Sequence, residues 1–207
     1  MKKLIPFCLL AALLAGVTPP AFGAGVGLKL GFSLSKLVQG SAVPPALEWD
    51  NVPFFAGGLS FESRWGHLSL QPEVLFVRMG GRYEIDADNG FENRFSYIQV
   101  PLLIKVNALP RGSLDPFVCA GGYGAYLIKA QGVLEAAGET TKADLTDEYE
   151  RFDFGVVGGA GLTLRFRGLA LSIEGRYVHG LANVFKDPGE GETLKNRGLM
   201  ALVTVVY

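Results

Sequence analysis

From Val26 onward, apolar residues recur at every second position along most of the sequence. This is the period of a β-strand whose two faces meet different surroundings. The clearest run covers residues 152–166, where Phe152, Val156 and Leu164 alternate with polar or small residues such as Asp153. Because the same period continues to the end of the chain, the pattern predicts an all-β fold.

The alternation divides into eight runs, and each is long enough for the roughly 9–11 residues that a tilted strand needs to cross a bilayer. The links between runs alternate in length. Three are short, at 65–66, 107–115 and 167–168, and four are long, at 35–53, 79–93, 130–150 and 181–196. Short turns on one side and long loops on the other are typical of bacterial outer-membrane barrels. The sequence therefore predicts an eight-stranded antiparallel up-and-down transmembrane β-barrel.

Residues 1–23 have the features of a cleaved signal peptide. Lys2 and Lys3 precede a short apolar run, and small residues flank Phe22 before the expected cleavage site at Ala24. The apolar run is shorter than the roughly 20 residues of a membrane-spanning helix, which disfavours an anchor. We therefore expect export to the outer membrane, with residues 24–207 forming the barrel domain.

Aromatic residues on the apolar face lie mostly near strand ends, whereas strand middles are mostly aliphatic. This distribution indicates two interfacial girdles and an apolar face turned towards lipid. The predicted girdle residues are Phe55, Trp65, Phe76, Phe117, Phe152, Phe166, Tyr177 and Tyr207. The phase of the glycine-rich fifth run is ambiguous. Placing Phe117 outward also puts Cys119, Tyr123, Ala125 and Leu127 on the lipid side.

The opposite face carries charges of both signs in the middle of strands. Its members are Glu62, Arg64, Glu73, Lys105, Arg165, Glu174 and Arg176. Buried charges require opposite partners, so four cations against three anions predict a charge network that fills a narrow lumen. Two alternatives remain open. In the first, the charged residues line a narrow passive channel. In the second, the charged face is the solvated exterior of a soluble lipocalin-like ligand-binding barrel.

Four segments also resemble a known group in their order and spacing. They are 27–35 (GLKLGFSLS), 68–75 (LSLQPEVL), 100–105 (VPLLIK) and 171–177 (LSIEGRY). They resemble the outer-membrane β-barrel domain family often labelled "porin family" or PorT-like, and the resemblance covers essentially the whole mature chain. It implies an OmpA/OmpX-like eight-stranded barrel in a Gram-negative envelope, without a wide pore.

The candidates for chemistry are few. His67 and Ser69 stand two residues apart, as in outer-membrane lipid A deacylases, so a lipid A-modifying enzyme is a further alternative. It is disfavoured because the two residues flank a turn expected on the periplasmic side. Cys119 lies in an apolar run and is expected to be a small buried hydrophobe. The acidic segment 130–150 lacks the ligand spacing of a calcium loop. We therefore expect no catalytic residues, no metal site and no cofactor.

The expected partners follow from the predicted location. They are outer-membrane lipid and lipopolysaccharide, the barrel-assembly machinery during biogenesis, and a surface partner contacted through the long loops. A formal net charge of −1 gives no reason to expect nucleic acid. The sequence favours a structural, adhesion or surface-recognition role.

Overall fold

In a computed structural model of the protein, the described residues are 24–39, 50–84, 89–136, 139–186 and 193–206. The predicted signal peptide, residues 1–23, and the predicted girdle residue Tyr207 lie outside them. The strands are β1 (Ala24–Gln39), β2 (Val52–Trp65), β3 (Leu68–Glu84), β4 (Gly90–Asn107), β5 (Leu114–Ala136), β6 (Glu139–Asp144), β7 (Phe152–Phe166), β8 (Leu169–Gly180) and β9 (Leu194–Val206). Among these residues there is no helix of the length and apolarity required to cross a bilayer.

Eight of the strands form a closed antiparallel ring in the order β1–β2–β3–β4–β5–β7–β8–β9. The ring closes because β1 pairs with β9, which brings the two ends of the barrel domain together. Among the described strands, the short strand β6 pairs only with residues 131–136 of β5, and it is not part of the closed ring. The predicted eight-stranded up-and-down barrel is confirmed.

The outward face of the ring is apolar. Phe32 is 65% exposed and Phe154 is 56% exposed, and aliphatic residues of every barrel strand accompany them. Lys29, Glu73 and Glu174, by contrast, are buried inside the ring. This arrangement is the reverse of that in a soluble ligand-binding barrel, and it suits a barrel surrounded by lipid.

Strand β5 has the opposite phase to the one predicted. Phe117 is only 4% exposed, and Cys119, Tyr123, Ala125 and Leu127 are also buried inside the barrel. The prediction of Phe117 as an interfacial residue is therefore wrong. Glycine and aromatic residues occur on both faces of this strand, so the two faces differ little in polarity and the sequence does not show which one is inside. The ring of Phe117 lies 4.0 Å from the Lys105 ammonium, an inward contact that sequence alone does not reveal.

Two of the predicted long loops are largely strand. Strands β3 and β4 remain paired as far as Glu84 and Gly90, and β5 continues to Ala136. Segment 139–144, within the predicted loop 130–150, forms β6. Beyond the lipid both faces of a strand meet water, so the alternation that marks a strand weakens while the hydrogen-bonded ladder continues.

Inward glycines allow neighbouring strands to approach closely. A Cβ atom built on Gly31, Gly58 or Gly121 would lie 2.0 Å from a backbone oxygen of the adjacent strand. Glycine at such positions permits the local bending that closing a small barrel requires. These glycines therefore allow the ring to close and also leave space inside it.

Candidate functional site

Four charged side chains meet in the middle of the barrel, and we call them the central cluster: Lys29, Glu73, Glu174 and Arg176. The Lys29 ammonium lies 2.7 Å from a Glu73 oxygen and 2.8 Å from a Glu174 oxygen. The Arg176 guanidinium lies 2.5 Å from Glu174. All four side chains are at most 2% exposed. Two cations and two anions make the central cluster neutral, as burial requires.

One contact in the central cluster crosses the whole barrel. Arg176 donates two hydrogen bonds of 2.6 Å to the two oxygens of Glu73. Strands β3 and β8, which carry these residues, lie on opposite sides of the ring, with three strands between them in either direction. The bidentate pair is therefore a strut between facing walls, and its two parallel bonds fix its geometry.

A second group of charges lies at the end of the barrel that holds the short turns. Glu62 accepts a hydrogen bond of 2.7 Å from Arg64 and one of 3.3 Å from Lys105. Asp115 forms an ion pair of 2.5 Å with Arg165. These groups are less enclosed than the central cluster, because the Arg64 and Arg165 side chains are 20% and 22% exposed.

The structure thus places all seven predicted lumen charges on the inner side, in two groups. Two members were missed. Lys29 occupies an inward position of the first alternating run, so the alternation contained its signal, but nothing in the sequence linked it to Glu73. Asp115 adjoins a short turn and looks like a turn residue, although it is fully buried beside Arg165.

A polar group lies further towards the long loops. Asn196 donates one hydrogen bond of 2.9 Å to Asp153 and contacts the Tyr97 hydroxyl at 3.2 Å. Tyr123 donates to Asp153 at 3.5 Å. Strands β4 and β9, which carry Tyr97 and Asn196, are also opposite each other in the ring. Within the described residues, Asp153 forms no ion pair, and its Oδ1 atom is buried without a hydrogen-bond partner.

The end of the lumen beyond this polar group is covered by apolar side chains. Tyr149 packs edge-on against Phe95, with ring centroids 4.7 Å apart, and stacks on Phe185 at 5.8 Å. A β-bridge joins Tyr149 to Phe185, and Val184 is buried beside them. Burial raises the pKa of the Tyr149 phenol. We call Phe95, Tyr149, Val184 and Phe185 the apolar cap.

The remaining predicted girdle residues that the structure describes are on the outer face. Trp65 and Phe166 stand at the two tight turns, whereas the others lie towards the opposite end of their strands. Those with large exposed rings are Phe55, Trp65, Phe152, Phe166 and Tyr177, and Phe76 is partly buried by its neighbours.

His67 and Ser69 do not form a nucleophile and base pair. The Nδ1 atom of His67 lies 2.8 Å from the backbone oxygen of Asn107. The Ser69 hydroxyl donates to Glu62 at 2.8 Å and accepts from Asn107 at 2.8 Å. Each side chain therefore has other partners, and Ser69 belongs to the polar lining near the short turns.

In the acidic segment 130–150, residues 131–136 pair with residues 139–144, and the described residues make ordinary local contacts. Hydrogen bonds from Thr146 lower the pKa of the Asp144 carboxyl, and Arg151 pairs with Asp147 at 2.8 Å. In the part of the chain that is described, no three His, Cys, Asp or Glu side chains are grouped so as to hold a metal ion.

Comparison with known proteins gives a family and a fold. The sequence profile of a family described as an outer membrane protein beta-barrel domain matches residues 22–186. Among solved structures, the chain is similar to the outer membrane protein OprG from Pseudomonas aeruginosa, at 10% identity over 89% of this chain and 95% of that one, with a TM-score of 0.52. Neisserial surface protein A is 13% identical over 88% and 98% of the two chains, with a TM-score of 0.47. Ail of Yersinia pestis is 12% identical over 90% and 100%, with a TM-score of 0.45.

At identities this low, the similarity to OprG concerns the fold alone. No curated protein sequence matches the chain.

Proposed function

The chain belongs to the outer-membrane β-barrel domain family and lies in the bacterial outer membrane, and from this premise we propose that its lumen is closed and its function lies at the extracellular face. In this proposal the barrel is a non-enzymatic anchor. It holds a projecting sheet and the ends of the long connections at the cell surface, in a structural, adhesion or recognition role.

The observation that carries the closed lumen is the strut between Glu73 and Arg176. An eight-stranded barrel has an interior just wide enough for side chains to fill, so one bidentate pair between opposite walls occupies the middle of the passage. The contact of Asn196 with Tyr97 spans the barrel at a second level. The apolar cap covers a third level with side chains that are apolar except for the Tyr149 hydroxyl.

Planar-bilayer recording tests this closure. The purified barrel is expected to insert without producing conductance steps, and the double variant Glu73→Ala/Arg176→Ala serves as a comparison because Lys29 and Glu174 keep each other paired at 2.8 Å. Heat-modifiable gel mobility confirms that both proteins are folded. Steps from the parent barrel, in proportion to the protein inserted, would replace the closed-lumen proposal with the narrow-channel alternative.

A projecting sheet supports the surface role. Strand β5 has 23 residues, whereas about 9–11 suffice to cross a bilayer, so much of it extends beyond the lipid. There it pairs with β4 on one side and with the fully exposed β6 on the other. The resulting sheet of β3, β4, β5 and β6 stands on the side of the long connections, which faces the cell exterior in this class of barrel.

Labelling of intact cells tests the position of this sheet. A cysteine introduced by Thr141→Cys, in the exposed strand β6, is expected to react with a membrane-impermeant maleimide. The matched variant Arg167→Cys, in an exposed tight turn at the other end, is expected to react only after the outer membrane is opened. Cys119 is buried and provides a low background. Reaction of Arg167→Cys on intact cells, with Thr141→Cys protected, would invert the proposed orientation.

A further inference from the structure

Three basic side chains lie side by side on three adjacent strands, and we call them the basic row: Lys36, Arg197 and His179. Lys36 on β1 is directly opposite Arg197 on β9, and Arg197 is directly opposite His179 on β8. Side chains at directly opposite positions have Cβ atoms about 4.5–5.5 Å apart, so all three can reach one ligand.

The basic row is on the outer face, immediately beyond the lipid-facing belt. Two residues nearer the membrane centre, the same three strands present Leu34, Leu199 and Tyr177, which are 46%, 58% and 45% exposed. The rings of Tyr177 and His179 are 6.2 Å apart and share this face. A girdle aromatic marks the boundary between hydrocarbon and headgroups, so the basic row lies at headgroup level on the extracellular side.

The basic row has no acidic partner in the part of the chain that the structure describes. None of its members forms an ion pair with any described residue, and the Nε atom of Arg197 is buried without a hydrogen-bond partner. Two other cations on this side of the barrel are paired. Arg82 contacts Glu135 at 2.8 Å, and Arg94 contacts Glu92 at 2.5 Å. Three basic side chains without an acidic partner among the described residues therefore lie together at one level of the outer face.

We propose that the basic row binds a phosphate group of lipid A in the outer leaflet. Arginine and lysine supply charge-assisted donors to phosphate oxygens, and the planar guanidinium provides two parallel donors. The acyl chains of the same molecule lie along Leu34, Leu199 and the strand middles below them. Such a lipid places its phosphate against the basic side chains and its acyl chains against the apolar face below them. A free anion would pair with the basic side chains but would leave the apolar face uncovered.

The test measures binding of bisphosphorylated lipid A to the detergent-solubilised barrel by native mass spectrometry. The double variant Lys36→Gln/Arg197→Gln is expected to bind about tenfold more weakly or worse, because it removes both strong donors. The matched control is Arg167→Gln, which removes an exposed cation from a tight turn at the opposite end and is expected to bind like the parent. Heat-modifiable mobility verifies that each variant is folded.

A second measurement needs no variant. The parent barrel is expected to prefer bisphosphorylated over dephosphorylated lipid A by a similar factor, and inorganic phosphate alone is expected not to compete. Equal binding of the two lipids, or equal binding by the parent and the double variant, would overturn the proposal. Effective competition by inorganic phosphate would assign the basic row to a free anion instead and would equally overturn it.

Discussion

Replacement of Glu73 by alanine is expected to lower the free energy of unfolding of the barrel by about 3–5 kcal/mol, the usual cost of removing one partner from a buried ion pair. Glu73 accepts hydrogen bonds from Lys29, from both terminal nitrogens of Arg176 and from Gln71. Without it, two buried cations share the single carboxylate of Glu174, and the uncompensated positive charge remains in a site that water does not reach.

Urea unfolding of the barrel in lipid vesicles measures this effect. The matched control is Glu84→Ala on the same strand, because the Glu84 side chain is 67% exposed and its contact with Arg82 is 3.8 Å long. An exposed ion pair contributes at most about 1 kcal/mol, so the control is expected to resemble the parent. Glu174→Ala should fall between the two, since it leaves the bidentate pair intact. Equal midpoints for Glu73→Ala and Glu84→Ala would show that Glu73 is not enclosed as described.

Replacement of Gly121 by alanine is expected to destabilise the barrel by about 3 kcal/mol, at the upper end of the usual cost of overpacking. The added Cβ would lie 2.0 Å from the backbone oxygen of Leu102 and 3.0 Å from the Cα atom of Leu103. Both obstacles are backbone atoms of β4, so neither can rotate away. The pairing of β4 with β5 must open locally to admit the methyl group.

The control for this substitution lies three residues along the same strand. A Cβ atom on Gly124 meets nothing within 4 Å, so Gly124→Ala tests the chemical change without the clash. We expect Gly124→Ala to keep the urea midpoint and heat-modifiable mobility of the parent, and Gly121→Ala to lose a large part of both. If the two variants behave alike, the approach of β4 to β5 is wider than the structure shows.

The fold could be predicted from sequence because the membrane requires the two faces of each strand to differ strongly in polarity. Lipid on one side and a packed interior on the other produce the period of two, and the unequal connections provide the strand count. The prediction failed where the contrast is weak. In β5, Phe117 and Tyr126 face opposite sides while glycines separate them, and beyond the lipid the strand pair of β5 and β6 has no apolar face to reveal it.

The contents of the lumen were only partly predictable, for a different reason. Alternation assigns a residue to the inside but does not say which side chain it meets across the ring. The partnership of Lys29 with Glu73 depends on the register of three strands. The apolar cap depends on residues such as Tyr149 and Phe185, which lie in connecting segments where apolar residues do not recur at every second position.

The strut also sets an order of events during assembly. Its partners are 103 residues apart in the sequence, and Lys29 and Glu174 are 145 apart, so both contacts form only when β8 is brought near β3 and β1. Non-local contacts of this kind form late. Until these charges pair they stay hydrated, and the cost of removing that water opposes the entry of an incomplete sheet into hydrocarbon. We therefore expect the residues that stiffen the finished barrel to gain their partners only as the seam between β1 and β9 closes.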